Sequence, residues 1–371
     1  MGKKPASSID KPLAVIIGLL VVGGTFIFAS ASFGELARGQ TNITSVVFNH
    51  LVLGIGLGLV LLTAALFTDY RLWRRFAPHL FVAALIATAL VFTPVGMEHG
   101  GGKRWIMLFG QTFQPAELLK LAAIIMAAAF FAAHRDKIHL WRWGLGGLAG
   151  LLILPVILLV AQPDLGTLSI ICAPVCAIFF VAGARWRDIG ILVGAVLVAG
   201  LLVFFTVDHA RDRILTFWNP SADAQNTGWQ INQSLIAVGS GGVFGRGLGQ
   251  GIQKFRHLPE PMGDSIFAVA AEELGLVGAL TIIVTFLMFA LRGLRVAARA
   301  AEPFGTYLAI GISVYLAGEA FLNIAAMLSV APLTGVPLTF VSQGGSAMLV
   351  SLLSAGILLS VSRGGKRLVG A

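Results

Sequence analysis

This sequence is short of charge. Asp, Glu, Lys and Arg together make up 12% of its 371 residues, about half the share of a soluble domain. With 57% hydrophobic residues and a mean hydropathy of +0.88, that scarcity excludes an ordinary water-soluble globule. Acids are rarer still, 17 against 26 basic residues, so the formal net charge is +9. In a soluble chain such an excess would suggest nucleic acid. In a membrane chain it records orientation and contact with anionic headgroups, and no nucleic-acid partner is expected. Cysteine is nearly absent. Cys172 and Cys176 stand one helical turn apart inside an apolar run, a spacing that suits packing and not a disulfide or a metal site.

What the chain has instead is a series of apolar runs of about 20 residues, the signature of an all-α polytopic membrane protein. Ten spans are expected, near 13–33, 46–67, 77–95, 117–133, 145–161, 165–183, 188–207, 265–291, 304–331 and 342–362. Lys3, Lys4 and Lys11 precede the first. Ala29-Ser30-Ala31 looks like a signal-peptidase site, but the apolar run is longer than a signal core, so an uncleaved first helix is expected. Ten spans put both termini on one side. Loops on that side hold 17 of the 26 basic residues and the opposite loops hold 8. By the positive-inside rule both termini are then cytoplasmic. Moving one span would spoil the bias, so the bias supports the count as well. A single transmembrane domain over 1–371 is expected. Its one large extracytoplasmic loop, 208–264, lies between the seventh and eighth spans.

The unusual polar residues collect on the outer side. Leu258–Gly275 reads LPEPMGDSIFAVAAEELG and carries Glu260, Asp264, Glu272 and Glu273. Asp264 sits where loop meets hydrocarbon. It suits an N-cap, and equally a poorly solvated functional carboxylate. In the loop 96–116, Gly100, Gly101 and Gly102 precede Lys103, Arg104 and Trp105. A cation pair beside Trp is a common interfacial anchor, but it lies on the side that should avoid basic residues, which a phosphate ligand would explain. Gln114-Pro115-Ala116-Glu117 follows, with Lys120 three residues after Glu117. That pair either neutralises itself or lines a polar seam. Asp164, in the turn Gln162–Thr167, suits a helix cap and adds an acid to the same surface.

The long loop opens with the mixed-charge stretch Asp208, Arg211, Asp212, Arg213, which suits a helix lying on the membrane surface. The Gly-rich segment 240–251 is not a Walker loop; it is either an anion-approaching backbone or a re-entrant lid. The last outer loop, Pro332–Phe340, leads into Ser342, Gln343, Gly344, Gly345 and Ser346, the pattern of a broken helix lining a cavity. Lys120, Glu272, Glu273, Glu319 and Asn323 complete the polar set at membrane depth. They either hold helices together or face a cavity, and the paired glutamates need a partner, either Lys120 or a water-filled cavity.

Four segments, GGGKRWIMLFGQTFQPAELLK, QPDLGT, GWQINQS through LPEPMGDSIFAVAAEELGLVG, and PLTGVPLTFVSQGGS, resemble the SEDS family (shape, elongation, division, sporulation). They occur in the family's order, and the resemblance spans about residues 13 to 363. It implies ten transmembrane helices with cytoplasmic termini in the bacterial cytoplasmic (inner) membrane. It also implies a peptidoglycan glycosyltransferase that polymerises lipid II on the outer face, partnered by a class B penicillin-binding protein and other divisome proteins. The GWQINQS and LPEPMGD runs look closer to the FtsW division branch than to the RodA elongation branch, with Ser265 and Gln343 departing from the usual pattern. By resemblance, Asp264 is the catalytic residue. The substrate-binding set implied or placed nearby is Lys103, Arg104, Trp105, Gln114, Glu117, Lys120, Arg246, Lys254, Glu260, Ser342, Gly344, Gly345 and Ser346. The candidate cations for the diphosphate are Lys103, Arg104, Lys120, Arg211, Arg213, Arg246 and Lys254, and by the motif match Arg104 and Lys120 rank first. A divalent cation, Mg2+ or Mn2+, is compatible with the chemistry. The rival reading is a lipid II flippase, which would spread its polar residues through the membrane instead of gathering them outside.

Overall fold

The computed structural model describes residues 9–39, 46, 48–99, 102–108, 111–219 and 227–364. Lys3, Lys4, Lys366, Arg367, Gly100 and Gly101 fall outside the described residues. Helix α1 (Lys11–Arg38) starts at Asp10, whose carboxylate accepts from the Leu13 N–H at 2.9 Å. A π-helix, Phe48–Gly56, runs directly into α2 (Leu57–Phe67), and α3 (Arg71–Ala89) follows. After the sheet described below come α4 (Pro115–Ala133), α5 (Leu145–Ala161), α6 (Leu165–Val181) and α7 (Trp186–Thr206). The expected large loop holds three helices: α8 (Asp208–Trp218), α9 (Thr227–Ser240) and the single turn α10 (Gln253–Arg256). Then come α11 (Ile266–Arg299), α12 (Pro303–Met327) and α13 (Gly345–Gly364).

Among the described residues eight helical segments are long and apolar enough to cross a membrane. The expected fifth and sixth spans, α5 and α6, are apolar helices of only 17 residues each, below the roughly 20 that a straight crossing needs. The chain is mostly helical, but the all-α expectation needs one correction. The loop 96–116 folds into a three-stranded antiparallel sheet, β1 (Gly96–His99), β2 (Gly102–Leu108) and β3 (Gln111–Phe113), with β2 in the middle. In β2, Gly102 and Ile106 face inward while Lys103 and Met107 are exposed. That period-two pattern was hidden by the interfacial look of the Lys-Arg-Trp run.

The centre of the bundle is α12, buried along most of its length and packed against α4, α6 and α11. Helix α7 stands apart, with only Asp188 buried. At one end of the bundle the Asp10 N–H donates to Ser362 Oγ (3.2 Å), and Arg71 Nε meets Glu302 Oε1 (2.7 Å). The Arg363 guanidinium donates to the Phe67 carbonyl (3.1 Å). The first and last helices therefore begin and end together at a basic end.

The 34 residues of α11 would reach about 51 Å as one rod. They do not form one rod. Gly275 (φ 67°, ψ −166°) breaks the helix where the Gly-rich loop docks. The Leu276 and Val277 N–H groups donate to the Gly242 and Val243 carbonyls at 2.9 and 3.1 Å. A Cβ on Gly275 would stand 2.3 Å from the Gly245 nitrogen, and the positive φ independently demands glycine.

Candidate active site

Asp264 ends a tight loop just before α11. The Gly263 and Ser265 N–H groups both donate to the Glu260 carbonyl (3.0 and 3.2 Å), and Glu260 itself takes a left-handed φ of 44°. This loop is sewn to the last outer loop. Ser342 Oγ donates to the Gly263 carbonyl (2.8 Å), and the Gln343 N–H donates to the Met262 carbonyl (2.7 Å). Asn323 on α12 joins both, donating through Nδ2 to the Asp264 and Val336 carbonyls at 2.8 Å each. Ser265 accepts from Gln230 of α9 (3.1 Å). Asp264 is thus held through its backbone from three directions. Its carboxylate has no hydrogen-bonding side-chain partner among the described residues and is half-buried. Partial desolvation, reinforced by the Glu260 charge and opposed by Arg213 and Arg104, pushes it up to about 6.

Beside it lies a cavity of about 70 Å³ lined by residues that include Arg104, Trp105, Gln114, Glu117, Lys120, Asp164, Glu319 and Gly335. Asp264 reaches its rim: Oδ2 lies 3.5 Å from where a Cβ on Gly335 would stand. Strand β2 delivers Arg104, whose guanidinium donates to the Pro163 and Gln162 carbonyls at 2.6 and 3.3 Å. Asp164 caps α6, accepting from the Thr167 N–H (3.1 Å) and Thr167 Oγ1 (2.9 Å), and Gln114 Nε2 approaches it at 3.4 Å. At the buried floor, Lys120 Nζ sits between Glu117 (2.9 Å) and Glu319 (2.6 Å), with the Tyr315 ring 5.1 Å away. The ammonium is thus shared between two carboxylates of different helices, α4 and α12.

Arg104, Trp105, Gln114, Glu117 and Lys120 therefore line one cavity with Asp264 at its rim. Glu260 is exposed beside Asp264, and Ser342 positions its loop. Gly344, Gly345 and Ser346 form the entry to α13, where Ser346 Oγ accepts from the Gln114 N–H at 3.4 Å. Lys103 points away: it is exposed, opposite Glu98 in the β1–β2 pair. Arg246 and Lys254 are elsewhere too. Lys254 is fully buried, with Nζ 2.5 Å from Glu273 Oε1 and 2.8 Å from Ser30 Oγ; Arg246 lies 3.7 Å from Glu272. Glu272 also accepts from the Ile252 and Gln253 N–H groups (2.9 and 3.2 Å), and Glu273 from those of Gly249 and Gly251 (3.1 and 3.4 Å). Of the two expected remedies for this glutamate pair, Lys120 is ruled out, because it pairs with Glu117 and Glu319. Lys254 takes its place, because the Gly-rich loop folds back onto α11.

Asp164 and Glu319, which the expected substrate-binding set leaves out, line the same cavity, and Arg213, one of the candidate cations for the diphosphate, approaches Asp264. Arg213 of α8 is close enough to lower Asp264, and burial beside Arg104 lowers its own basicity. The i,i+4 spacing of Glu319 and Asn323 on an otherwise apolar helix was the available signal for α12.

The match that decides the family covers residues 11–367, aligned with the FtsW/RodA/SpoVE model described as "cell cycle protein". This chain belongs to that family. A probable peptidoglycan glycosyltransferase FtsW of Geobacter sulfurreducens is 40% identical over 307 residues, 82% of each chain. Stage V sporulation protein E of Bacillus subtilis is 34% identical over 359 residues, 96% of this chain and 98% of the relative. Among solved structures, a chain of a peptidoglycan synthase complex, described as coordinating polymerization and crosslinking, superposes with a TM-score of 0.79. It is 28% identical, covering 96% of this chain and 98% of its own. The family likeness thus extends over the helices that carry the cavity.

Proposed function

We propose that the chain is a peptidoglycan glycosyltransferase that polymerises lipid II, acting in cell division, with Asp264 as the general base. The observation that carries the base assignment is Asp264 itself. It is a half-buried carboxylate with no side-chain hydrogen bond from a described residue, raised to about 6, at the rim of a cavity lined by Arg104 and Lys120. A base of that strength is largely ionised at neutral pH and still takes a proton readily. The FtsW-named relatives support the division role.

Two jobs follow from the reaction. A sugar hydroxyl of one lipid II attacks the anomeric carbon of another; its proton goes to Asp264, and the lipid diphosphate leaves. Inversion at that carbon needs one base and no covalent intermediate. The leaving diphosphate gathers negative charge, which Arg104 and Arg213 stabilise from the side facing Asp264. Lys120, held between two carboxylates, sets the floor potential. Lys103 and Arg246 lie outside this geometry, and Lys254 is committed to Glu273.

A divalent cation would take Asp264 as its carboxylate and neutralise charge on the diphosphate. Magnesium sites commonly use one or two carboxylates with substrate phosphates. Among the described residues no three His, Cys, Asp or Glu side chains gather into a metal site of their own, so such a cation would draw its remaining ligands from substrate phosphates and water.

The finer topology belongs to the same reading: ten spans, cytoplasmic termini and an inner-membrane, multi-pass chain with the Asp264 end outward. The shared basic end of the first and last helices supports it. A class B penicillin-binding protein as partner is supported by the similar chain's place in a complex that couples polymerization to crosslinking. Other divisome proteins would follow from the division role. The test is polymerisation of labelled lipid II by the purified chain with and without that partner. Wild type should build glycan strands and Asp264→Ala should not, while both elute as folded protein. Normal strand synthesis by Asp264→Ala would remove the base assignment. Lipid II transfer across vesicles without strand growth would favour the flippase.

A further inference from the structure

Away from the active site, at the basic end, lies a second and larger cavity of about 330 Å³ between α2, α3 and α13. Leu61, Ala64, Ala65, Leu72, Phe76, Leu80 and Leu353 make its walls apolar. From Leu72 to Leu80 it follows α3 for roughly 12 Å. Thr68 and Trp73 also line it, near the basic end. The hydroxyl of Thr68 is satisfied by the Ala64 carbonyl (2.8 Å). The indole N–H of Trp73 is not: Nε1 is buried and has no hydrogen-bond partner. An orphaned donor at the end of an apolar trough is costly unless an acceptor oxygen arrives with a ligand.

The charge around that donor is one-signed. Arg71, Arg74 and Arg75 open α3, and Arg75 follows Leu72 by three residues, on the same face. Arg71 is shared with Asp69 and Glu302. Arg74 and Arg75 are exposed and enter no ion pair among the described residues. The Arg363 guanidinium lies 5.7 Å from the Phe67 ring at the same end. A trough for one hydrocarbon chain, a bare N–H where the chain would become an ester, and free guanidinium groups beyond it together describe one amphiphile.

We propose that this groove is a binding site for an anionic phospholipid of the leaflet at the basic end. One acyl chain lies along α3, an ester or phosphate oxygen accepts from Trp73, and the headgroup faces Arg75 and Arg74. The site rests only on the chain's spanning a membrane, so it stands or falls separately from the polymerase reading. Its occupant differs from lipid II, whose site lies at the opposite end.

The test uses the full chain in nanodiscs of phosphatidylcholine with a minor share of phosphatidylglycerol, followed by native mass spectrometry and by crosslinking with phosphatidylglycerol bearing a photoreactive acyl chain. Wild type should retain phosphatidylglycerol over phosphatidylcholine and crosslink within 61–80. Arg75→Gln should cut that preference about fivefold, the effect of one basic side chain beside an anionic leaflet. Ala64→Phe, at an exposed wall position, should remove the crosslink without changing Arg75. Trp73→Phe should weaken retention while keeping the fold. Equal retention of both lipids, crosslinking spread evenly over the lipid-facing helices, or an unchanged preference in Arg75→Gln and Ala64→Phe would each overturn the site.

Discussion

Two clusters of carboxylates on α11 and its approach differ in one respect that sequence does not display. Glu272 and Glu273 are fully or almost fully buried, and each accepts from two backbone N–H groups; Glu273 also holds a buried ammonium. Asp264, some eight residues earlier, is less buried, yet its carboxylate has no side-chain donor among the described residues. Burial alone would rank the glutamates as the functional pair. Satisfaction reverses the order. A saturated carboxylate has no lone pair left for a substrate proton, whereas a partly desolvated, unsaturated one does. The glutamates clip the Gly-rich loop to α11 and, through Ser30, to α1. Asp264 is kept in place by its backbone, and its side chain is left for chemistry.

The sharpest way to break this contrast is to neutralise Asp264 without changing its size. Asp264→Asn should lower the lipid II polymerisation rate by on the order of 10²–10⁴, the range of a lost general base, with no loss of folded protein. A normal rate would return the glutamates to candidacy. The opposite outcome is expected at the clip. Lys254→Met leaves Glu273 buried without its cation and should destabilise the fold by about 3–5 kcal/mol, read as a lower melting temperature and poorer yield. The molecules that remain folded should polymerise at close to the normal rate per molecule. If instead Lys254→Met kept its stability and lost only turnover, Lys254 would belong to the active site after all.

Much of the fold was legible because the bilayer simplifies the problem. Apolar runs must be helices, and the basic bias reports their order. The boundaries of α5 match the expected span, and Arg104, Gln114, Glu117 and Lys120, which stand out in the sequence, line one cavity with Asp264 at its rim. What was not legible depends on contacts made across the chain. Lys254 and Glu273 are 19 residues apart and joined only by the fold of a glycine loop, so Lys254 read as one more free outer cation. Glu319 reaches Lys120 across 199 residues. The β-sheet was missed because three short strands of a loop carry too little period to outweigh an interfacial Lys-Arg-Trp signal. Arg213 was visible as a cation but not as a neighbour of Asp264.

A smaller effect is expected at Gly335, whose φ of 70° and place 3.5 Å from Asp264 Oδ2 join the last outer loop to the base. Gly335→Ala adds a methyl group in ordinary contact with the carboxylate and strains a left-handed residue by about 1 kcal/mol. Turnover should fall several-fold, with the activity lost at the chemical step and lipid II affinity little changed. A purely structural Gly335 would lower the melting temperature and leave turnover per folded molecule alone.

The smallest expected effect concerns pH, and it tests whether Asp264 lacks favourable partners. The Asp264 carboxyl is raised from 3.8 to about 6 by desolvation first and Glu260 second. Folding therefore holds its proton more tightly than the unfolded chain does. The stability this contributes is complete below about pH 4 and is lost as pH rises through about 6. At neutral pH the folded protein bears the cost of a poorly solvated charge, which Asp264→Asn removes. The variant should melt a degree or two above wild type at pH 7.5, a shift of about the size that 1 kcal/mol gives in a chain this long, and the gap should close toward pH 4. Turnover of the wild type should run the other way, falling as pH drops below about 6 and the base is protonated. A variant that melts lower at pH 7.5 would mean that ionised Asp264 is held by favourable partners, and the contrast between an unsatisfied Asp264 and the hydrogen-bonded glutamates would fail.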